Sequence, residues 1–510
     1  MARGSKFMAA ALAGASLFAA SCGSSSSSKD VTGTTAIATA TTAAPTTAAV
    51  PVVTDAPKAT EPVETTPPTE AAEKPTASDT GITQDTIKIG VAIADLAAVR
   101  AAGISIPETL TSEHLFDRWN VYAKKWNDAG GINGRTVEFV QLLWDPLNPK
   151  SFDTLCASAT VDQELFMVLN GTGLSSVAMN CLADAGMLMM YGDVVAQDLL
   201  DTGLMISLPP PAEVVSVAGV EAWIKSGQLA APAKVGVLSS NTPLIQAAGK
   251  AAETALKDAG YDVQVIETNS LAGDNAATNE EGAAAVGTFL ANGVQHAFVA
   301  TPFTENKGFW NAAADSGKLP YTLLDTAASQ CSAFGLSRAP AEAAGSLCAT
   351  AFDQQGIEGK GVRADTPFEA ECRKFYDANY TAYFGSASSP GVPSGQKITD
   401  VNGKVLSSDF APQECTIANL LEQGLKNGGV NPTRKSVHDA ILALGEQPFA
   451  LGSDGIGTLK ADKPYLADKV HTVRVTLADP KVVPGADGTY NGCPAPVTCG
   501  VVISDWTPIA

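Results

Sequence analysis

The sequence Thr86-Ile-Lys-Ile-Gly-Val-Ala-Ile93 is a short apolar run of the kind that forms a buried β-strand. From Ser112 to Asp128 apolar residues recur at helical spacing, and Ala129-Gly-Gly131 ends that helix. The next strand is predicted from Thr136 to Leu143. A buried strand, a helix and a second buried strand in this order are typical of a parallel sheet that helices cover on both faces.

This alternation continues along the chain and then starts a second time. The first series goes on with helices at Ser151–Gln163 and Ser175–Ala185 and strands at Leu165–Leu169 and Met187–Tyr191. After Leu208-Pro-Pro-Pro211, a second series has strands that begin at Lys234, Asp262, His296 and Tyr321, with helices between them. The two series, at about 87–193 and 234–325, predict an α/β protein with two doubly wound parallel-sheet lobes.

The chain beyond residue 325 is less regular and too small to form a third core. It is predicted to contain a strand at Leu347–Phe352, helices at 367–383, 413–427 and 433–444, a hairpin at Asn402-Gly403, and strands at Lys469–Leu477 and Gly500–Ser504. These elements are expected to complete both lobes. Lobe one is therefore 81–208 plus about 350–457, and lobe two is 209–349 plus about 465–510.

The first 22 residues have the pattern of a secretory signal. Arg3 and Lys6 precede an apolar run from Phe7 to Ala20, which is too short to span a bilayer. The run ends in Ala19-Ala20-Ser21-Cys22, which resembles the lipobox of bacterial lipoproteins, where small residues precede a lipidated cysteine. We therefore expect lipidation of Cys22 and an exported protein, anchored to the outer face of the bacterial cytoplasmic membrane.

Residues 23–80 are dominated by Ser, Thr, Ala and Pro and contain no aromatic residue. Such a segment buries too little apolar surface to offset the entropy lost on ordering it, so a disordered tether is predicted. As a random coil it would hold the folded part on the order of 40 Å from its anchor.

The charge balance of the chain argues against several kinds of partner. The 510 residues include 33 Lys and Arg against 53 Asp and Glu, which gives a net charge of −20 at pH 7. That sign repels phosphate backbones and anionic headgroups, so we expect neither nucleic-acid binding nor polybasic membrane binding.

The sequence lacks the common catalytic motifs, namely G-x-S-x-G, H-E-x-x-H, Walker A and the EF-hand loop. Its four histidines are far apart, and its cysteines lack the C-x-x-C spacing of zinc sites. We therefore expect no metal, no cofactor and no enzymatic activity.

Eight cysteines remain after Cys22, an even number that indicates disulfides in an exported chain. Pairing each cysteine with its nearest neighbour joins adjacent elements and avoids unnecessary links between lobes. This rule predicts Cys156–Cys181, Cys331–Cys348, Cys372–Cys415 and Cys493–Cys499.

One loop of the first series has the features of an anion-binding site. Gly171-Thr-Gly173-Leu-Ser175-Ser176 follows a strand and opens a helix, where free backbone N–H groups favour a carboxylate. The alternative is that Ser175 only caps the helix. Ser176 replaces the last glycine of a dinucleotide fingerprint, so a nucleotide cofactor is not expected here.

Two segments resemble a known family. Gly81-Ile-Thr-Gln-Asp-Thr-Ile-Lys-Ile-Gly-Val91 and Trp126-Asn-Asp-Ala-Gly-Gly-Ile-Asn-Gly-Arg135 are similar to the opening of the branched-chain amino-acid (Leu/Ile/Val) binding proteins. These are type 1 periplasmic binding proteins of ABC importers, and the likeness in element order extends over 85–505. The resemblance implies two lobes joined by three crossovers, for which Leu208–Pro211, about 326–350 and about 457–469 are suitable. The Cys156–Cys181 spacing also resembles a family disulfide.

The resemblance implies that a ligand binds in the cleft between the lobes. In lobe one, Ser175 or Ser176 corresponds to the serine that binds a ligand carboxylate, and Tyr191 and Asp193 lie in the loop of a second contact. The early T-G loop of the family is replaced by Ala94-Asp-Leu-Ala97.

In lobe two, the family's first contact is a tyrosine whose place is taken by Leu244, with Asn241 and Thr242 nearby. An aromatic contact corresponds to Pro302 or Phe303. The acidic residue that pairs with a ligand amino group corresponds to Asp325, or to Thr326 if the alignment shifts by one.

These features favour the solute-binding lipoprotein of an ABC importer over two alternatives. Such a protein is expected to be a monomer that binds a small polar organic ligand, an amino acid or a related carboxylate or amide, by hinge closure. It would deliver the ligand to a membrane permease. The alternatives are the ligand-sensing lobe of a membrane signalling system, which uses the same fold, and a secreted enzyme.

Overall fold

The computed structural model describes residues 73–509 apart from internal gaps. The gaps are 102–110, 149, 172–175, 271–273, 303–304, 317–318, 327–329, 332–335, 337–338, 340, 354–355, 358–360, 363, 380–396, 400–404, 407–411, 478–488 and 491–497. Residues Ala71–Ala510 form one compact unit. The predicted signal segment, Cys22 and most of the predicted tether lie outside the described residues.

Five parallel strands form the first sheet, in the order β2-β1-β3-β4-β5. The strands are β1 (Thr86–Ala94), β2 (Thr136–Trp144), β3 (Met167–Asn170), β4 (Leu188–Tyr191) and β5 (Met205–Ser207). The helices between them are α1 (Leu96–Ala101), α2 (Ser112–Asp128), α3 (Lys150–Ala157), α4 (Ser176–Asp184) and α5 (Gln197–Asp201). The order places the topological switch point between β1 and β3, as in other doubly wound sheets.

The second sheet contains a parallel series of the same kind. Its strands are β6 (Lys234–Ser240), β7 (Asp262–Thr268), β8 (His296–Val299), β9 (Tyr321–Leu324) and β10 (Leu347–Thr350). The helices are α6 (Ala212–Lys225), α7 (Pro243–Asp258), α8 (Asn275–Ala291) and α9 (Lys307–Asp315). The parallel strands are ordered β10-β9-β8-β6-β7. The predicted fold class, two doubly wound parallel-sheet lobes, is confirmed.

Later parts of the chain extend both halves. Strands β11 (Gly356–Ile357), β12 (Gly361–Val362), β17 (Lys469–Leu477), β19 (Thr498–Val502) and β20 (Thr507–Pro508) join the second sheet. Helices α10 (Pro367–Asn379), α11 (Pro412–Asn427) and α12 (Arg434–Leu442) contribute Tyr376, Leu421 and Ile441 to the buried core of the first sheet.

The small strands are β13 (Lys397–Thr399), β14 (Val405–Leu406), β15 (Glu446–Pro448), β16 (Ile456–Thr458) and β18 (Thr489–Tyr490). The strands β13 and β14 pair antiparallel, with Ile398 opposite Leu406, as the predicted hairpin requires, and its turn residues Asn402 and Gly403 lie outside the described residues.

Helix α6 is an element that the sequence pattern did not predict. Its buried residues Val215, Val220 and Trp223 pack with β6, α7 and the second sheet. A helix that is apolar on most sides shows little of the amphipathic period from which a helix is predicted. Its valines also favour strands when tertiary contacts are ignored.

In the part of the chain that the structure describes, three segments that pass between the two sheets are hydrogen-bonded to one another. The N–H of Ser207 donates to the carbonyl of Pro464 at 3.0 Å, and the N–H of Ala467 donates to Leu208 at 2.9 Å. In the second sheet, Thr350 of β10 is paired with His471 of β17. The three passages therefore form a connected hinge.

The segment 129–135, which carries the family resemblance, has a structural role. Gly131 has a φ of 80°, and a Cβ there would overlap the carbonyl oxygen of Arg135. Asn133 donates to the carbonyls of Leu425, at 3.1 Å, and Gly429, at 2.9 Å, at the end of α11. The motif therefore ties α2 and β2 to α11.

Arg135 is fully buried and joins three segments. Its guanidinium donates to the carbonyls of Thr83 and Thr76, both at 2.7 Å, and to the carbonyl of Val430. The hydroxyl of Ser78 donates to Pro432 at 2.6 Å, so residues just before 80 are held on the folded part. These residues lie within the range 23–80 that composition assigns to the tether.

Three of the four predicted disulfides are present. Cys156–Cys181, Cys331–Cys348 and Cys372–Cys415 have Cα–Cα distances of 6.2, 5.8 and 6.3 Å, within the usual range. Cys493 and the side chain of Cys499 lie outside the described residues, so the fourth pairing remains a prediction.

Candidate functional site

In open parallel sheets, ligands bind beyond the carboxyl ends of the strands. In the first sheet, Tyr191 is the last residue of β4 and is buried, and Asp193 follows two residues later and is also buried. Asp193 Oδ1 accepts the N–H of Val194 at 2.8 Å, and its carbonyl accepts the hydroxyl of Ser207 at 3.2 Å. These contacts hold the Asp193 loop against the first passage between the sheets.

Only part of the predicted anion-binding site lies within the described residues. Ser176 is the first residue of α4, but its side chain and the whole of Ser175 lie outside the described residues. The strand predicted before this site is present, since β3 ends at Asn170 and pairs with β1 and β4.

The residues predicted in lobe two that the structure describes lie after β6 and β9. Asn241 directly follows β6 and is exposed, and Thr242 precedes α7 without a capping hydrogen bond from its side chain. Leu244 is buried within α7, and Phe303 lies outside the described residues. The hydroxyl of Thr326 donates to the carbonyl of Ala300, which gives Thr326 a structural contact.

Asp325 directly follows β9 and is only 1% exposed. Its Oδ1 accepts the N–H of Cys331 at 3.1 Å, and the Thr350 hydroxyl and the Gln330 N–H also donate to this carboxyl group. Burial, and secondly the negative charge of Asp193, raise the pKa of Asp325 to about 7. The carboxyl group is therefore poised to lose a proton near neutral pH.

Asp193 and Asp325 follow strands of different sheets, yet they lie in one neighbourhood. The charge of Asp193 acts on Asp325, and their chain neighbours Val194 and Leu324 belong to one buried apolar cluster. Two buried carboxyl groups repel each other when both are ionised. Such a pair favours either a shared proton or a positively charged group between the two sheets.

Sequence reasoning missed several polar residues at the same strand ends. Asn170, the last residue of β3, is 8% exposed, and its Oδ1 accepts no hydrogen bond from the residues that the structure describes. Glu305 follows β8 and is half-buried, and burial raises its pKa to about 7. Asn170 ends a buried strand and Glu305 lies in the loop after one, and a polar residue at the carboxyl end of a buried strand is the signal that could have revealed them.

A buried amide network supports the loop that carries Asp325. Asn306 donates to the carbonyl of Thr301 at 2.7 Å and to Gln330 Oε1 at 3.0 Å. Gln330 in turn donates to the carbonyl of Leu324 at 3.0 Å. The network joins the carboxyl ends of β8 and β9 through hydrogen bonds.

The groups described at these strand ends are mostly acceptors, which suits a ligand that has N–H donors or a positive charge. In the described part of the chain, no group of three or more His, Cys, Asp or Glu residues could hold a metal ion. None of the helices in the described ranges is long and apolar enough to cross a membrane.

No protein-family model matches the sequence, and no curated protein is similar to it at a significant level. Among solved structures, the chain is similar to the fatty acid ABC transporter substrate-binding protein of Thermomonospora curvata. The identity is 16%, the match covers 84% of this chain and 94% of that chain, and the TM-score is 0.53. The fold is that of the type 1 periplasmic binding proteins.

Two further structures with this type 1 fold are similar over most of their length. One is the solute-binding protein of an ABC transporter from Rhodopseudomonas palustris BisB5 in complex with 3,4-dihydroxy benzoic acid. Its identity to this chain is 13%, the match covers 84% of this chain and 98% of that chain, and the TM-score is 0.54. The other is the leucine-, isoleucine-, valine-, threonine- and alanine-binding protein from Brucella ovis in a closed conformation. Its identity to this chain is 16%, the match covers 83% of this chain and 95% of that chain, and the TM-score is 0.53.

Proposed function

We propose that this protein is the extracytoplasmic solute-binding component of an ABC importer and has no enzymatic activity. The observation that carries this proposal is that the charge of Asp193, which follows a strand of the first sheet, acts on Asp325, which follows a strand of the second, while their chain neighbours Val194 and Leu324 share one buried cluster. A type 1 periplasmic binding fold with buried polar groups from both sheets at one place is suited to holding a small ligand between two lobes.

The proposed lobes are 81–208 with about 350–457, and 209–349 with about 465–510. The described core residues support this division, because one buried cluster contains Leu208, Phe352 and Tyr376, while Cys348 and Val473 belong to another. Closure around a ligand would occur at the three hydrogen-bonded passages. Only a ligand that binds the closed state more tightly than the open state shifts that equilibrium.

The proposed ligand is an amino acid or a related carboxylate or amide. Its amino group would lie between Asp193 and Asp325, where the carboxyl groups are buried. Its carboxylate would lie at the N-terminus of α4 with Ser175 and Ser176. Tyr191, Asn241, Thr242 and Phe303 are proposed to line the remainder of the cleft.

Asp325→Asn is expected to separate two kinds of ligand. A thermal-shift screen of amino acids, amides, aromatic acids, fatty acids and short peptides first identifies binders of the full-length protein. The substitution should then weaken the binding of ligands with an amino group by about 1.5–3 kcal/mol, the range for hydrogen bonds to charged groups. Ligands without an amino group should bind as before, and titration calorimetry at pH 8 measures both.

The matched control is Asp262→Asn. Asp262 begins β7 of the same sheet, and its side chain is 65% exposed, so its replacement should leave every affinity unchanged. Equal affinity of an amino ligand for Asp325→Asn and for the wild type would place the amino group elsewhere.

Membrane anchoring through Cys22 is the second part of the proposal. Stable anchoring needs two or more acyl chains or an equivalent second signal, so loss of the lipidated residue should release the protein or leave it unprocessed. We expect Cys22→Ala to leave the washed membrane fraction, while Ser24→Ala, beyond the lipobox, stays with it. Membrane fractionation and immunoblotting measure the outcome, and a Cys22→Ala protein that stays in the membrane in processed form would contradict the anchor.

A further inference from the structure

The C-terminal segment 498–509 runs antiparallel to β17 over nearly its whole length. In the second sheet, β19 pairs with β17, with Val502 opposite Val473. Beyond β19 the N–H of Ile503 donates to the carbonyl of Thr472 at 3.0 Å, and β20 pairs Thr507 with Val470. The hydrogen bonds therefore continue past the end of β19.

β17 itself connects two buried cores. Val470, near its start, belongs to the core of the first sheet, whereas Val473 and Val475 belong to a core of the second sheet. The C-terminal segment follows the same course in reverse, because Val502 packs on the second core and Ile509 packs on the first. The third passage between the sheets is thus a pair of strands.

Trp506 covers the point at which two passages meet. Its ring stacks on His471 with centroids 3.9 Å apart and an interplanar angle of 5°. His471 is buried, and its Nε2 lies 3.0 Å from the carbonyl oxygen of Phe352, which follows β10 in the second passage. The stack therefore joins the C-terminal segment to both the second and the third passage.

We infer that residues 503–509 form a hinge strap, which limits how far the two lobes rotate relative to each other. A hinge opens through backbone rotation at a few residues. Rotation near His471 would have to break the backbone bonds of the strap or the Trp506 stack as well as bend β17. The inference concerns the hinge alone, so its test needs no ligand and does not depend on the proposed transport function.

The test measures the distance between the lobes in the ligand-free, full-length protein. Lys124→Cys on α2 and Lys250→Cys on α7 place spin labels at side chains that are 73% and 70% exposed. We expect Trp506→Ala to broaden the inter-label distance distribution in pulsed electron resonance, because losing one aromatic stack changes a two-state population by about two- to tenfold. Trp506→Phe, which keeps a stacking ring, should retain most of the narrow distribution.

Ile503→Ala is the matched control, since the Ile503 side chain is 41% exposed and only its backbone bonds to β17. If Trp506→Ala does not fold, Ser504→Ala replaces it, because the Ser504 hydroxyl accepts the N–H of Thr472 at 2.8 Å. A lowered melting temperature with an unchanged distance distribution in the variant tested would overturn the inference. It would show that the strap only stabilises the fold.

Discussion

Replacing Arg118 with methionine is expected to lower the free energy of unfolding by about 3–5 kcal/mol, the cost of leaving a buried charge without its partner. Arg118 of α2 donates to Glu414 of α11 at 2.5 Å, and the two side chains are 6% and 7% exposed. Tyr376 donates to the other carboxylate oxygen at 3.0 Å. Burial already raises the pKa of Glu414, and the arginine offsets that effect. Chemical denaturation followed by circular dichroism measures the loss.

An exposed ion pair on the same helix is the control. Lys124 and Asp128 are 73% and 65% exposed, so Lys124→Met should change stability by less than about 0.5 kcal/mol. The double variant Arg118→Met with Glu414→Leu should recover much of the loss, because it removes the buried charge altogether. A single Arg118→Met variant as stable as Lys124→Met would show that the pair contributes little.

The second large effect concerns the pH dependence of stability without ligand. The pKa of Asp325 is raised to about 7 in the folded protein by burial and by Asp193, from its ordinary value of 3.8. Between these values the folded protein keeps a proton that the unfolded chain has released, so stability falls as the pH rises. This one group changes the unfolding free energy by at most about 1.4 kcal/mol per pH unit.

Asp325→Asn should remove this change, so the difference in unfolding free energy between wild type and variant should change steadily from pH 4 to 7. The pH dependence of the wild-type protein alone does not isolate the effect of Asp325, because the titration of His296 changes the unfolding free energy in the opposite direction. Burial lowers the pKa of His296 to about 3, so acid favours the unfolded chain, which takes up a proton below about 6.5. Denaturation curves at several pH values give the difference, and parallel wild-type and variant profiles would refute the raised pKa of Asp325.

Much of the fold could be predicted because it depends on local pattern. The apolar run at 86–93 became β1, the helix predicted at Ser112–Asp128 has those bounds, and Gly130 ends it with a positive φ. Three disulfides followed from pairing cysteines that are near in sequence. Each of these features is set by a period, a turn or a short loop.

The candidate site was predictable only in part. Asp193 and Asp325 could be named because the family resemblance assigns ligand contacts to their positions, but nothing in their sequence neighbourhoods indicates that their charges interact. Asn170, at the end of β3, and Glu305, in the loop after β8, were not selected. A polar residue after a strand is common, and only the arrangement of strands shows which of these residues lie together.

The amino-acid sequence by itself determined the alternation of strands and helices, the acidic charge and the pairing of neighbouring cysteines, because these depend on short-range pattern and composition. Only the tertiary structure decided that Arg135 of the family-like segment ties three backbone segments together, that Asp193 lies near Asp325, and that Trp506 stacks on His471. These contacts join residues far apart in the chain. Their geometry depends on sheet order and on the packing of whole elements, which no local period encodes.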